Sequence, residues 1–245
     1  RDGLKAPWLG IVIAVLMCTK MMGANLVQSN TISGVLSSNY NVPTWLTGII
    51  LICCLMAVVL GGLKRLANIA TSLVPIMSIF YVVVGLLVIL LNIQQVPSVF
   101  IEIFTQAFSM KAVAGGTGGY IIAKAMQYGI TRGMYSNEAG EGTAPFAHGS
   151  AIVDHPCEEG ITGVTEVFLD TIIICSITAI VIGVTGIYQS DLSPAVMAIE
   201  SFGTVWGPLK HLATFALLLF CFTTLMGQWF NAAKSFTYAF GPKVT

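Results

Sequence analysis

Charge is scarce in this sequence. Asp, Glu, Lys and Arg make up 9% of it, and they cancel to a net charge of zero. Soluble domains carry about 25% charged residues. With 56% hydrophobic residues and a mean hydropathy of +0.85, the chain reads as an all-α polytopic membrane protein. No basic tract is present, which excludes a nucleic-acid partner. The three histidines, His148, His155 and His211, are far apart and form no HExxH pattern. The six cysteines show no metal-ligand spacing and lie mostly in apolar runs, as buried thiols do. A poised nucleophile, an acid–base pair and a metal set are all missing, so an enzyme is not expected. No signal peptide is visible. The chain starts at Arg1 rather than Met and ends soon after a hydrophobic run, so it reads as a fragment.

What the chain does have is a polar, glycine-rich stretch in the middle of apolar sequence. Arg132-Gly-Met-Tyr-Ser-Asn-Glu-Ala-Gly-Glu-Gly-Thr-Ala-Pro145 lies between Tyr120–Ile130 and Phe146–Val153. Gly133, Gly140 and Gly142 weaken a helix. Arg132, Asn137, Glu138 and Glu141 would be costly facing lipid. The economical reading is one spanning helix, residues 118–153, broken near the bilayer midplane. Membrane proteins tolerate such a break only where protein or a water-filled cavity covers it. In secondary transporters substrate and coupling ions bind there.

Around it the sequence predicts five further spans in a single transmembrane domain, at 8–36, 44–63, 66–91, 163–188 and 207–229. Asn25, Gln28 and Ser29 share a face of the first span, as helix-to-helix hydrogen bonders or as a cavity lining. Lys20 lies on another face, paired in the bundle or snorkelling. Lys64-Arg65 reads as a short basic loop, which places that end in the cytoplasm. Pro75 should kink the third span or split off its first turn. Val99, Phe100, Ile103, Phe104, Ala107 and Phe108 have the spacing of an amphipathic helix lying at the outer surface. Asp154–Glu159 reads as a loop. Asp170 and Thr171 lie in the fifth span, and Thr223-Thr224 in the sixth.

The polar groups cluster at one depth, around Gln28, Asn137 and Asp170. That favours an occluded site over the continuous polar face of a channel. Oxygen ligands suit sodium, and the break carbonyls and the Thr223-Thr224 hydroxyls supply them. The alternative for the threonines is back-bonding within their own helix. Asp170 is a partner of Arg132 or Lys124, or acts on an ion or gate. Glu138 pairs with Arg132 or with freed backbone amides.

Together, Arg132-Gly-Met-Tyr-Ser-Asn-Glu-Ala-Gly140, Gly142, Ala144-Pro145 and Ala147-His148 resemble the signature of the alanine or glycine:cation symporter family. Val27-Gln28 with Asn30, Gly61–Ala67, Val74–Met77, His155-Pro156, Val167–Thr171 with Cys175, and Phe220–Thr224 with Gly227 extend the likeness over nearly the whole chain. The resemblance implies a LeuT-like inverted-repeat fold of the amino acid–polyamine–organocation superfamily. It implies sodium-coupled, sometimes proton-coupled, uptake of a small neutral amino acid across a bacterial or archaeal plasma membrane. Gln28, Tyr135, Ser136, Asn137 and Gly140 would contact the amino acid. Thr223 and Thr224 would bind sodium in a site completed by a first broken helix preceding Arg1. Arg132, Glu138 and Asp170 would be gating or structural charges. The chain departs from the family pattern at Glu141, Glu166, Gln228 and Ala233. The first and third of these leave room for a larger polar substrate such as glutamine. The different-class alternative is a channel or a non-transporting membrane scaffold.

Overall fold

A computed structural model describes residues 7–107, 116–138, 141–149 and 151–241. Its elements are α1 (Pro7–Tyr40), α2 (Thr44–Val59), α3 (Gly62–Leu91), α4 (Val96–Ala107), α5 (Gly116–Ser136), α6 (Ala144–His148), α7 (Pro156–Val167), α8 (Ser176–Thr185), α9 (Pro194–Gly203) and α10 (Gly207–Phe240). Between α7 and α8 the helix continues as a π segment, Phe168–Cys175. Among the described residues there is no strand.

Among the described residues, four helices are long and apolar enough to cross a membrane: Trp8–Tyr40, Asn68–Leu91, Pro156–Thr185 and Gly207–Phe240. At 1.5 Å per residue, the 34 residues of α1 extend about 51 Å, well past a ~30 Å hydrocarbon core. α2 is apolar but has 16 residues. α5, with Lys124 and Arg132, is not among the four. Large apolar side chains such as Leu26, Ile52, Ile79, Leu90 and Ile172 are exposed, as lipid-facing residues of a spanning helix are.

Several boundaries differ from the sequence reading. Lys64 and Arg65 are not a loop. The chain turns at Leu60–Gly61, and α3 starts at Gly62 and takes both residues into its first turn. α3 then runs unbroken through Pro75. Asp154–Glu159 is a loop only as far as His155. His155 is the N-cap of α7, its Nδ1 accepting from the Cys157 amide at 3.2 Å, and Pro156 takes the first helical position, where its missing N–H costs nothing. The last helix runs on to Phe240, past the expected end at Trp229. The amphipathic helix forms as α4, with Val99 buried and Phe100, Ile103 and Phe104 exposed. Phe108 lies outside the described residues.

The described chain divides into two compact units. The first contains Arg1–Phe80, Ser193–Val196 and His211–Thr245. Its core joins Ile32 of α1 to Cys221 and Leu225 of α10, with Leu51 of α2 against them. A second cluster joins Val58, Leu66 and Met226. The second unit contains Tyr81–Leu192 and Met197–Lys210. In it α4 packs on α8 so closely that a side chain at Gly183 would collide with Val99. Tyr81 ties α3 to α8 through a 2.7 Å hydrogen bond with Thr178, and its ring meets Phe202 edge-on.

Candidate functional site at the helix break

The second unit holds the break. α5 ends at Ser136, where the Asn137 amide donates to the Gly133 carbonyl at 3.1 Å, and helix resumes at Ala144. Between them the chain turns back on itself. The Glu141 amide donates to the Glu138 carbonyl at 3.1 Å, Glu138 has φ +51° and Gly142 φ +72°. The left-handed conformation is open to glycine, but it strains a glutamate. The break is therefore where the glycines and polar side chains suggested. The half-helix after it is shorter than expected, because α6 has only five residues and Ala151–Val153 are not helical. Gly149 closes α6 by donating to the Pro145 carbonyl at 2.9 Å. Ala139 and Gly140, the latter a predicted substrate contact, lie outside the described residues.

The end of α5 is fastened to the π segment. Ser136 Oγ donates to Asp170 Oδ2 and lies 3.7 Å from Cys175 Sγ. One residue on, Asn137 Oδ1 accepts from Thr171 Oγ1. Two adjacent side chains of the break thus meet two adjacent side chains of the π segment. A π segment widens the helix and re-aims the side chains on it, and such segments recur at functional sites. The sequence leaves Asp170 as a partner of Arg132 or Lys124, or as acting on an ion or gate. Among the described residues its partner is Ser136, and Lys124 lies over the Tyr128 ring at 5.7 Å. Glu138 and Arg132 form no ion pair among the described residues, and Arg132 is exposed. Tyr135 is half-buried, with its hydroxyl oxygen inside.

Thr143, at the far lip of the break, is fully buried, and its hydroxyl has no hydrogen-bond partner among the described residues. Nothing in the sequence singled it out. Beyond the break, His148 Nδ1 lies 2.6 Å from Glu159 and Nε2 3.4 Å from Glu166, which joins α6 to α7. The unit also has an open cavity of about 630 Å³ lined by Asn92, Gln95, Tyr188 and Thr204, none of them break residues.

Gln28, Thr223 and Thr224 belong to the first unit. Gln28 is half-buried on α1. The Thr223 and Thr224 hydroxyls both donate to the Phe220 carbonyl, at 3.0 and 2.8 Å, so the back-bonding alternative is what the structure shows. That uses each hydroxyl hydrogen and leaves oxygen lone pairs as acceptors.

An all-helical chain with several long apolar helices and a polar break is a multi-pass integral membrane protein with the hallmarks of a transporter. It belongs to the sodium:alanine symporter family, whose model matches residues 1–245. Among its relatives is the sodium/alanine symporter AgcS of Methanococcus maripaludis, 33% identical over 240 residues covering 96% of this chain and 52% of that protein. The putative sodium/proton-dependent alanine carrier protein YrbD of Bacillus subtilis is 32% identical, over 97% of this chain and 52% of the carrier. The probable sodium/glutamine symporter GlnT of Bacillus subtilis is 34% identical, over 94% and 48%. The chain spans about half the length of the curated relatives it matches.

Proposed function

We propose that the protein containing this chain imports a small neutral amino acid, alanine or glycine, together with sodium, and that it works by transport and not by catalysis. The observation that carries this reading is the break in α5. In a chain of a symporter family, Ser136 and Asn137 sit where helical bonding stops and are held by Asp170 and Thr171. Substrate binds at Tyr135, Ser136, Asn137 and Gly140, with Gln28 contributing from α1. The fold of the whole protein is LeuT-like, with six spans in this chain: the four long helices, α2, and the broken α5–α6. Sodium binds to the Thr223 and Thr224 oxygens, with further ligands from outside these residues. Asp170 holds the break in shape through Ser136, and Arg132 and Glu138 are charges of the gate. The membrane is a bacterial or archaeal plasma membrane.

The test is counterflow of labelled alanine into vesicles containing the full-length protein, preloaded with unlabelled alanine. Saturable exchange that requires sodium is expected. Non-saturating flux would mean a channel, and no flux a scaffold. A second reading, glutamine as substrate, is favoured by one observation: Gln228, a departure from the family pattern, is buried on α10. Competition by unlabelled glutamine in the same assay separates the two substrates, and a proton requirement in place of sodium would change the coupling ion.

A further inference from the structure

A cluster of titratable side chains lies just beyond the break and takes no part in the proposed substrate site. Its members come from two helices of the second unit. His148 is the last residue of α6, the half-helix after the break, and Glu159 and Glu166 belong to α7. Glu159, Gly163 and Glu166 stand at i, i+4 and i+7, so they share a face of α7. The imidazole ring lies over the glycine, where an added side chain would stand 3.7 Å from Cε1 and Nε2. A carboxylate flanks it on either side: Nδ1 is 2.6 Å from Glu159 Oε1, and Nε2 is 3.4 Å from Glu166 Oε2. Among the described residues no other charge faces the ring. His155, at the N-cap of α7, is turned to the Cys157 amide.

This arrangement suits a bound proton. A neutral imidazole has one N–H and turns a lone pair toward whatever faces its other nitrogen. Here a carboxylate faces that nitrogen in either tautomer, so lone pairs would meet lone pairs. Imidazolium carries N–H on both nitrogens and can donate to both carboxylates. The local sequence offers no substitute cation, since it has no Lys or Arg between Arg132 and Lys210. The two ties are unequal. The His148 and Glu159 side chains are 25% and 21% exposed, but Glu166 is 68% exposed and water screens its charge.

One continuous helix thereby grips both sides of the break. α7 holds His148, after the break, and runs on into the π segment, whose Asp170 and Thr171 hold Ser136 and Asn137 before it. Only the first of these two grips contains a histidine. We infer that His148, Glu159 and Glu166 form a proton-binding latch: with the proton bound, α6 is clamped to α7, and when the proton leaves, the half-helix beyond the break is released. The latch is separate from the proposed sodium and substrate contacts and does not depend on which amino acid is carried.

The test uses the full-length protein with isotope-labelled histidine, in detergent micelles and without amino acid. Nitrogen chemical shifts distinguish imidazolium from the neutral ring, and the signal absent from His148→Gln identifies His148. Between about pH 5 and pH 8, where histidine changes charge, the wild-type ring should pass from imidazolium to neutral. At the wild-type midpoint Glu159→Gln should lower the ratio of imidazolium to imidazole about tenfold, and Glu166→Gln by less. Glu158→Gln, on another face of α7, should leave the ratio nearly unchanged. Amide hydrogen exchange over residues 144–149, corrected for the intrinsic effect of pH, reads the latch itself. It should quicken several-fold from the acid to the alkaline end of the range, and in Glu159→Gln it should be quick at both. A ring that stays neutral throughout, or a ratio unmoved by Glu159→Gln, overturns the proton site. Exchange indifferent to pH and to Glu159→Gln overturns the latch, and it decides alone should His148→Gln not fold. Neither readout involves transport, so a failure of amino-acid uptake leaves the result standing.

Discussion

Asn137 stands at the point where α5 gives way, and its side-chain oxygen is already taken by Thr171. Its amide NH₂ is what remains for a ligand, and a carboxylate is the group of an amino acid that such a donor suits. Gln28 offers the same amide chemistry from α1. A lost hydrogen bond to a charged group weakens binding by about 1.5–3 kcal/mol, roughly tenfold to a hundredfold in affinity. Gln28→Ala and Asn137→Ala in the full-length protein should therefore raise the half-saturating substrate concentration by that factor. Asn68→Ala, an exposed position near the start of α3, should not. Equal effects of all three in an uptake titration would count against this map. Thr223 and Thr224 make a different argument. Each hydroxyl donates to Phe220, so its oxygen is fixed in direction and open to a cation. Thr223→Ala or Thr224→Val should raise the sodium concentration for half-maximal uptake several-fold, with substrate affinity at saturating sodium changed less. If sodium dependence is unmoved in both variants, back-bonding is their whole role.

At the level of elements, the break depends on its turn as much as on its side chains. Gly142 at φ +72° occupies a conformation that costs an L-residue about 1–2 kcal/mol. Gly142→Ala should lower the melting temperature of the purified protein by a few degrees and reduce uptake. Gly129→Ala, in the helical part of α5 with open space beside it, should not lower the melting temperature, because alanine favours helix. The long helices and the break were legible in the sequence, because apolar runs, glycines and misplaced polar residues are signals of composition and order. The π segment was not. It adds a slight widening to an otherwise regular apolar helix, and Phe168–Cys175 carries nothing that marks this locally. Its consequence was half legible: the sequence set Asn137 and Asp170 at one depth, but not the pairing in which Asp170 and Thr171 reach Ser136 and Asn137 across more than thirty residues of chain. The short α6 and the start of α3 at Gly62 were misjudged for one reason. Apolar residues after Pro145 and charges after Gly62 suggest a span and a loop, but local turns ended one helix early and started the other. Of the polar positions on α1 and α10, Asn25, Gln28 and Gln228 were singled out in the sequence, whereas Asn231 and Ser235, also buried on α10, were not.

On the scale of the whole molecule, this chain is about half the length of its relatives. In a LeuT-like fold, the one proposed for the whole protein, the substrate site lies between two interrupted helices related by a pseudo-two-fold axis. Among the described residues the break at Asn137–Thr143 is one such interruption, and no second span combines a gap in helix with several polar groups. A lone break leaves polar backbone without the partner that would shield it from lipid, at several kcal/mol for each unsatisfied group. The Thr223 and Thr224 oxygens would likewise lack the further ligands of their ion. Residues 1–245 expressed alone and reconstituted in vesicles should therefore show no sodium-driven alanine uptake above empty vesicles. Co-expression with the remaining spans of the full-length protein should restore it. The measurement is uptake of labelled alanine under an imposed inward sodium gradient, run with both preparations in parallel. Coupled uptake by the 245 residues alone would show that one break suffices, and the two-break site would have to be given up.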